Sequence, residues 1–360
     1  MPLHLFARPR LLTLLLLLSL ALPLGATRRT IHLSTLGLRA GTKENSTPLL
    51  RKVLEGLQSE LEQGTDTLEL LFPTGCYHLT SEGALQREYF ISNHDHAGIR
   101  PIGLLLKGWR HVILRGEGSE LLFEVRMLPI VLDSCRGVEL RGLTIDYTHP
   151  QISQLRLLRS DTTRGMIFSP EPWVKWRISP EGKFETYGSN WQMTPDHGLA
   201  FDPKTRELCY RTSDVLFPNR DVRQLTRQEA KRYGVKGRQS GPILYAPHWR
   251  DAQLRDGAIF AARTGYRPQP AIFVSGCQDI RLDDITIHFA EGMGLLAQRS
   301  EDIHLEHFSV ELRPKGGRHF TTQADATHFV ACRGQISVER CRFENMMDDA
   351  LNVHGVYLKV

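Results

Sequence analysis

A repeated alternation of apolar and polar residues constrains the fold of this chain more than any other feature. Four segments begin with similar residues and alternate apolar and polar residues with period two. In each, the alternation is interrupted once and then resumes: CRGVELRGLTIDY (135–147), CQDIRLDDITIHF (277–289), SEDIHLEHFSVEL (300–312) and CRGQISVERCRFEN (332–345). Such alternation predicts two short, half-buried strands per repeat. The repeat spans 23 residues from Ile280 to Ile303 and 26 from Val112 to Val138. Strand-rich repeats of this length predict a parallel β-helix, since the fixed Leu and Asn spacing of leucine-rich repeats is absent.

The N-terminal segment predicts export. Residues 1–26 combine two early arginines, a leucine-rich core and a small residue before a cleavage position, which is the layout of a secretory signal peptide. An uncleaved anchor is the alternative, although the apolar core is short for a membrane span. We expect no membrane span after signal removal, and secretion or a periplasmic location.

The small net charge of +5 and the scattered arginines argue against a nucleic-acid partner. Oligomer formation stays possible.

The cysteines fit the inside of the coils better than a disulfide framework. There are six, at positions 76, 135, 209, 277, 332 and 341, and an exported chain permits disulfides. Cys135 and Cys277 open their repeats at matching positions, and Cys332 lies close to the same place. We therefore predict a column of small buried side chains, with Cys135 and Cys277 as free thiols, and keep three disulfides as the alternative.

Two segments outside the repeats complete the predicted organisation. Residues 45–64 predict an amphipathic helix that covers the open end of the β-helix, although Asn45-Ser46-Thr47 also fits a glycosylation sequon. Proline, tryptophan and turn residues in 150–255 predict a small inserted β domain, whose tryptophans are expected mainly in its own core. The predicted division is a signal peptide (1–26), N-terminal coils with the capping helix (27–149), the insert (150–255) and coils carrying the site (256–360).

Three carboxylates are predicted to converge on neighbouring coils. Asp325 lies 24 residues before Asp349 and 23 before Asp348. Alanine follows both Asp325 and Asp349, so we place these two at the same position of successive coils, about 4.8 Å apart. Close like charges favour one protonated acid among ionised neighbours, which is the division that glycoside hydrolysis needs. A solvated acidic edge or a calcium site are the alternatives.

Three motifs carry a family resemblance. They are EGMGLLAQ (291–298), TTQADATHFVACRG (321–334) and FENMMDDALNVHG (343–355). With them, most of the chain from about residue 30 resembles the glycoside hydrolase family 110 exo-α-1,3-galactosidases, of the pectin-lyase-like β-helix superfamily. The resemblance implies a right-handed parallel β-helix with β-barrel insertions. It also implies removal of terminal α-1,3-linked galactose with inversion, without metal or other cofactor. Because that family's chains continue past Val360, we expect further coils beyond this sequence.

The resemblance places the family's acidic residues on Asp325, Asp348 and Asp349. Inverting enzymes keep acid and base about 6.5–9.5 Å apart, and one coil step plus a sideways offset reaches that range. We therefore assign Asp348 as the general acid, while Asp325 and Asp349 jointly hold the attacking water. Polygalacturonases, with a similar arrangement of aspartates, support this division by analogy.

Further polar side chains are candidate substrate ligands. Some follow the acids at alternate positions of the same strand or its neighbour, and others lie one or two coils earlier, where sugar sites recruit polar groups. The predicted set is Asn352, His354, His328, Glu291, Gln298 and Arg299.

Three other functions stay open at this point. A polygalacturonase-like pectinase on the same fold would require a basic groove for its polyanionic substrate. A pectate-lyase-like enzyme would require calcium. A non-catalytic β-helix adhesin or glycan-binding protein would bind sugar without turnover.

Overall fold

A computed structural model describes residues 28–61, 67–95, 98–237 and 239–356. The predicted signal peptide, residues 1–26, lies outside the described residues. Within the described part, none of the helices has the length and apolar character needed to cross a bilayer.

The chain consists mainly of short strands. The N-terminal coils contain β1 (Arg28–His32), α1 (Thr47–Leu61), β2 (Thr67–Leu71), β3 (Cys76–Leu79), β4 (Leu85–Glu88), β5 (Ile99–Lys107), β6 (Arg110–Phe123), β7 (Leu128–Asp133) and β8 (Arg136–Tyr147), with a 3-10 turn at Leu33–Leu36. The insert contains β9 (Ser153–Asp161), β10 (Gly165–Pro170), β11 (Trp176–Ile178), β12 (Phe184–Tyr187), β13 (Gln192–Met193), β14 (His197–Phe201), β15 (Val215–Leu216), β16 (Arg223–Gln224), α2 (Arg227–Arg232), β17 (Leu244–Ala246) and β18 (Ile259–Arg263). The later coils contain β19 (Ile272–Ser275), β20 (Gln278–Ile287), β21 (Leu295–Gln298), β22 (Glu301–Glu306), β23 (Ser309–Val310), β24 (Thr327–Val330), β25 (Arg333–Glu339), β26 (Arg342–Phe343) and β27 (Leu351–His354).

Parallel pairing between successive repeats builds the predicted β-helix. One sheet, here called the site sheet, has the order β27-β24-β21-β19-β7-β5-β4, and all its pairs except β4–β5 are parallel. A ten-stranded sheet, with the central order β1-β2-β6-β8-β20-β22-β25, forms the remaining walls. Because β19 pairs with β7 and β20 with β8, the coils continue in register across the insert. The fold class predicted from the sequence, a right-handed parallel β-helix with a capping helix and an insert, is confirmed.

Each coil turns away from the site sheet at a left-handed backbone position. These corner residues have φ between +48° and +70° and stack in register: Gly108, Ser134, Gly276, Arg299 and Ala331. Positive φ is easily adopted by glycine and less easily by other residues. The predicted ligand Arg299 is therefore one of these corner residues.

The cysteine prediction is confirmed. Cys135 and Cys277 are buried, at 2% and 3% exposed, and the backbone N–H of Cys135 donates to Cys277 Sγ over 3.2 Å. In the next coil Ser300 takes the equivalent place, and its hydroxyl accepts from the N–H of Cys277. All six cysteines are free thiols in the structure. A hydrogen bond with Cys277 and burial raise the pKa of Cys135, which keeps this thiol protonated and unreactive.

Helix α1 covers one end of the β-helix interior. Its apolar face buries Leu50, Leu54 and Leu57 against the main core, and Gln58 donates to the carbonyl of Lys107. The Asn45 side chain accepts from the N–H of Thr47 at the start of the helix. The helix covers the coils as predicted, and Asn45 satisfies one of the free N–H groups at its start.

The insert has its own antiparallel sheet and core. The sheet order is β15-β14-β18-β9-β10-β17-β16, and a small three-stranded sheet, β11-β12-β13, lies beside it. Strand β18, which lies beyond the predicted limit of residue 255, fills the place between β9 and β14. Trp249 is fully buried in this core against Phe217 and Phe260. By contrast, Trp173 packs on Phe320 of the β-helix, so this tryptophan lies at the boundary between the two parts.

Candidate active site

The predicted register of the acids is present in the structure. Strands β24 and β27 pair with Thr327 opposite Leu351, and the N–H of Ala326 donates to the carbonyl of Asp349 over 2.8 Å. This shift of 24 residues places Asp325 beside Asp349. Asp348 precedes it in the turn before β27, and carboxylate oxygens of the three residues lie within 4.8 Å of one another. Asp325 is buried, whereas Asp348 and Asp349 face solvent.

The spacing is tighter than expected from the sequence. An inverting pair was predicted to be about 6.5–9.5 Å apart. The nearest oxygens are closer because Asp348 and Asp349 are consecutive in one turn and lie only one coil step from Asp325. Any water that attacks a sugar must therefore lie beside the acids and not in a wide gap between them.

Each carboxylate has a different polar partner. Arg267 Nη2 donates to Asp348 Oδ2 over 2.9 Å, and Asn352 Nδ2 donates to Asp349 Oδ2 over 3.1 Å. Asp325 Oδ2 lies 2.6 Å from Nδ1 of His328. These contacts hold the three acids in distinct orientations and reduce their mutual repulsion. Arg267 was missed because its segment shows no repeat pattern that would relate it to the acids.

A chain of hydrogen bonds runs from Asp325 towards the surface. Nε2 of His328 lies 2.8 Å from Nε2 of His354, and Nδ1 of His354 lies 2.6 Å from the carbonyl oxygen of Gly355. A carbonyl only accepts, so His354 Nδ1 donates. His354 therefore orients His328, which in turn orients the buried carboxylate of Asp325.

A segment here called the strap, residues 89–95, crosses the outer face of the site sheet. Asp95 Oδ2 accepts from the N–H of Arg267 over 2.6 Å, and the N–H of Asp95 donates to the carbonyl of Arg267. His94 Nε2 accepts from the N–H of Met293. A Cβ on Gly292 would lie 2.2 Å from that nitrogen, so glycine is required there. The strap thus fixes the backbone of the residue that pairs with Asp348.

His94 is a neutral member of the strap. Burial of its ring, with the nearby charges of Arg267 and Arg100, lowers its pKa to about 3. Its Nδ1 lies 3.0 Å from the carbonyl of Ser92 and therefore carries the proton, which leaves Nε2 free to accept. The sequence analysis did not identify the strap, since its residues are far in sequence from the acids.

The structure brings three predicted ligands to the acids and places the others in the scaffold. Asn352, His328 and His354 contact the carboxylates or their hydrogen-bond chain. Gln298 instead holds the strap, because its Oε1 accepts from the N–H of Ser92 and its Nε2 donates to the carbonyl of Phe90. The hydroxyl-binding role of Gln298 stays a prediction, and in this structure Gln298 holds the strap.

Glu291 is likewise engaged by protein side chains, and its role as a sugar ligand stays a prediction. It is 1% exposed, and its oxygens accept from Arg126 Nε over 3.0 Å and from Gln269 Nε2 over 2.6 Å. Burial raises the pKa of Glu291, while Arg126 opposes the shift. Arg299, the third residue in this group, is exposed at its corner, where its backbone N–H donates to the carbonyl of Val330.

Among the residues that the structure describes, the three aspartates are the group of side chains close enough to hold a metal ion. Arg267 already places a positive charge 2.9 Å from one of them. The sequence resemblance implies catalysis without metal, which stays a prediction.

Sequence comparison with known proteins finds relatives that are named alpha-1,3-galactosidase B. Alpha-1,3-galactosidase B of Phocaeicola vulgatus is 43% identical over 342 residues, which cover 95% of this chain and 54% of the relative. The chain is thus similar in sequence to proteins named alpha-1,3-galactosidase B. A second homologue, alpha-1,3-galactosidase B of Bacteroides fragilis strain YCH46, is 39% identical over 352 residues, covering 97% of this chain and 57% of its own. The chain spans about half the length of the curated relatives it matches.

Two further comparisons concern the insert and the fold. Residues 153–260 match the family model described as GLAA-B beta-barrel domain I, which corresponds to the insert. Among solved structures, the family 28 exopolygalacturonase of Yersinia enterocolitica is 10% identical, covering 91% of this chain and 51% of its own, with a TM-score of 0.27. That score is too low to carry an argument. The resemblance stated from the sequence motifs is confirmed by the alpha-1,3-galactosidase homologues.

Proposed function

We propose that this protein is an exported glycoside hydrolase that releases terminal α-1,3-linked galactose from glycans with inversion at the anomeric carbon. The observation that carries the proposal is the group of three carboxylates on two coils, in a chain homologous to alpha-1,3-galactosidases. The signal-peptide pattern of residues 1–26 supports export.

In this mechanism Asp348 protonates the glycosidic oxygen. Its carboxyl is exposed at the edge of the site, where the leaving sugar can reach it. Arg267 pairs with Asp348 in the substrate-free protein, so the carboxyl must leave Arg267 before it can donate a proton. Binding of sugar hydroxyls to the Arg267 guanidinium would release Asp348 and couple substrate binding to protonation.

Asp325 and Asp349 hold the attacking water in the same proposal. They occupy equivalent positions on neighbouring coils, so one water can bond both carboxylates. His328 orients Asp325, and His354 orients His328, so that the Asp325 carboxylate can take a proton from that water. Asn352 fixes Asp349 for this role.

Sugar release from defined substrates tests the function. The full chain should release galactose from galactosyl-α-1,3-galactose and none from polygalacturonate, and a calcium chelator should not change the rate. The first product should be β-galactose, observed by proton NMR of the anomeric signal before mutarotation. Initial α-galactose would show retention and make one aspartate a nucleophile, as the short oxygen distances would then suggest. Binding of the galactoside without turnover would indicate a glycan-binding protein.

A further inference from the structure

A buried arginine, Arg100, joins the strap to the segment that carries Arg267. It lies at the start of β5 and is 3% exposed. Its guanidinium donates four hydrogen bonds, over 2.8 to 3.3 Å, to the backbone carbonyls of Tyr89, Asp95, Gly98 and Pro268. A buried cation is costly unless its donors are satisfied. The four carbonyls supply that satisfaction, so the guanidinium fixes the segments from which they come.

Two of these bonds close the strap at its ends. Tyr89 is the first residue of the strap and Asp95 is its last, so one guanidinium holds both ends together. Between them, Ile91 is buried in the apolar cluster that includes Phe273 and Leu296 of the site sheet. Connecting segments are ordinarily more mobile than strands. The strap instead has a defined position, because its ends and its centre are all anchored.

The bond to Pro268 brings Arg100 next to the partner of Asp348. Pro268 directly follows Arg267, and its carbonyl accepts from Arg100 Nε over 3.2 Å. The backbone N–H and carbonyl of Arg267 both bond Asp95, whose own carbonyl accepts from Arg100. The backbone of Arg267 is therefore held on both sides by contacts that lead to Arg100. From this fixed backbone the side chain extends to Asp348, where Nη2 donates to Oδ2 over 2.9 Å.

Arg100 itself cannot contact a sugar at the acids. It is buried, and β5 lies four strand steps from β24 in the site sheet, roughly 19 Å along the helix axis at about 4.8 Å per step. The Arg267 side chain, in contrast, is 29% exposed and can reach sugar hydroxyls. An influence of Arg100 on substrate must therefore pass through Arg267.

The geometry at Arg100 requires a guanidinium and not only a positive charge. A guanidinium is planar and carries five N–H donors in a rigid fork, so it can serve carbonyls that approach from different directions. A lysine ammonium would keep the charge, but its three donors leave from a single nitrogen. Arg100→Lys therefore separates the effect of the geometry from the effect of the charge.

We propose that Arg100 is a positioning residue for substrate binding, which directs the Arg267 guanidinium towards the sugar hydroxyls beside Asp348 by holding the strap and Pro268. The proposal rests on the proposed function for the identity of the sugar, whereas the positioning of Arg267 does not depend on turnover. A side chain on a fixed backbone loses less conformational freedom when it binds, so it contributes more affinity.

Steady-state kinetics on galactosyl-α-1,3-galactose test the proposal. Arg100→Met and Arg100→Lys should each raise KM about tenfold and change kcat by less than about threefold, because the lost interaction is one of binding. In an Arg267→Ala background, Arg100→Met should raise KM no further, since no guanidinium is left to position. Leu57→Ala, in the core under the capping helix, is the control for lost stability and should keep the unaltered KM. A lower kcat at unchanged KM, or additive effects in the double variant, would overturn the proposal.

Two variants at an exposed position test the same path without disturbing a buried group. Asp95→Ala removes the acceptor of the Arg267 N–H and should raise KM as the Arg100 variants do. Asp95→Asn keeps a side-chain carbonyl oxygen that can accept the same bond, so it should retain the unaltered KM. An unaltered KM in Asp95→Ala would contradict the proposal even if the Arg100 variants fail to fold.

Hydrogen exchange separates failure of this proposal from failure of the proposed function. The Arg267 amide, which bonds Asp95, should exchange about tenfold or more faster in Arg100→Lys than in the unaltered protein, because local opening of the strap releases it. Mass spectrometry of peptides that contain Arg267 measures the rate without turnover. Unchanged exchange in Arg100→Lys would overturn the proposal. Absence of galactose release by the unaltered protein would instead contradict the proposed function and leave the exchange result standing.

Discussion

At the scale of single residues, the environment of Asp348 decides whether it can act as the acid. It is exposed, and its Oδ2 pairs with Arg267 over 2.9 Å. Asp325, in contrast, is buried and held by a hydrogen-bond chain through His328 and His354. The two residues therefore differ in their access to solvent, and substitution can distinguish their roles.

We predict that Asp348→Asn reduces turnover of a natural galactoside by about 10²–10⁴-fold, because general acid catalysis contributes this much. An aryl galactoside with a strongly acidic leaving group should lose far less, since its leaving oxygen needs little protonation. Steady-state rates on the two substrates measure the difference. Asp284→Asn, at an exposed left-handed corner that Asn tolerates, is the control and should keep full activity. If Asp325→Asn shows this leaving-group dependence instead, Asp325 is the acid.

At the scale of elements, the strap gives the protein a pH-dependent stability. The pKa of His94 falls from 6.5 to about 3 on folding. Between these values the unfolded chain binds a proton that the folded chain excludes. The contribution of a neutral His94 is therefore complete above about pH 6.5 and is lost as the pH falls towards 3.

We predict that His94→Gln makes the unfolding free energy less sensitive to pH in that interval. Urea unfolding from pH 8 to pH 4 should give a shallower acid decline for the variant than for the unaltered protein. Above pH 7 the two curves should run parallel, which serves as the internal control. Curves that stay parallel down to pH 4 would show that His94 is not held neutral by the fold.

At the scale of the whole molecule, the insert contacts the coils that carry the acids. Arg263, the last residue of β18, is buried, and its Nη1 donates to the carbonyl of Gln323 over 2.7 Å. Gln323 Nε2 in turn donates to the carbonyl of Thr264 over 2.5 Å. Since Gln323 lies two residues before Asp325, the insert helps to set the backbone from which that acid projects.

We predict that Arg263→Met lowers both stability and activity. Loss of the buried hydrogen bond should cost about 1–3 kcal/mol of unfolding free energy, because the Gln323 carbonyl loses its partner. The rate on a natural galactoside should also fall under conditions where the variant is fully folded. Arg220→Met, at an exposed position of the insert, is the control for loss of an arginine. Unchanged activity in folded Arg263→Met would show that the insert does not position Asp325.

The sequence by itself determined the coils, the cysteine column, the capping helix and the register of Asp325 with Asp349. These follow from local periodicity, and stacked repeats turn sequence spacing directly into spatial position. Only the tertiary structure revealed Arg267 and the strap around His94. These contacts join segments whose separation obeys no period, so no spacing rule could relate them. The same reason explains why Gln298 and Glu291, predicted as sugar ligands, have their polar groups engaged by the strap and by Arg126.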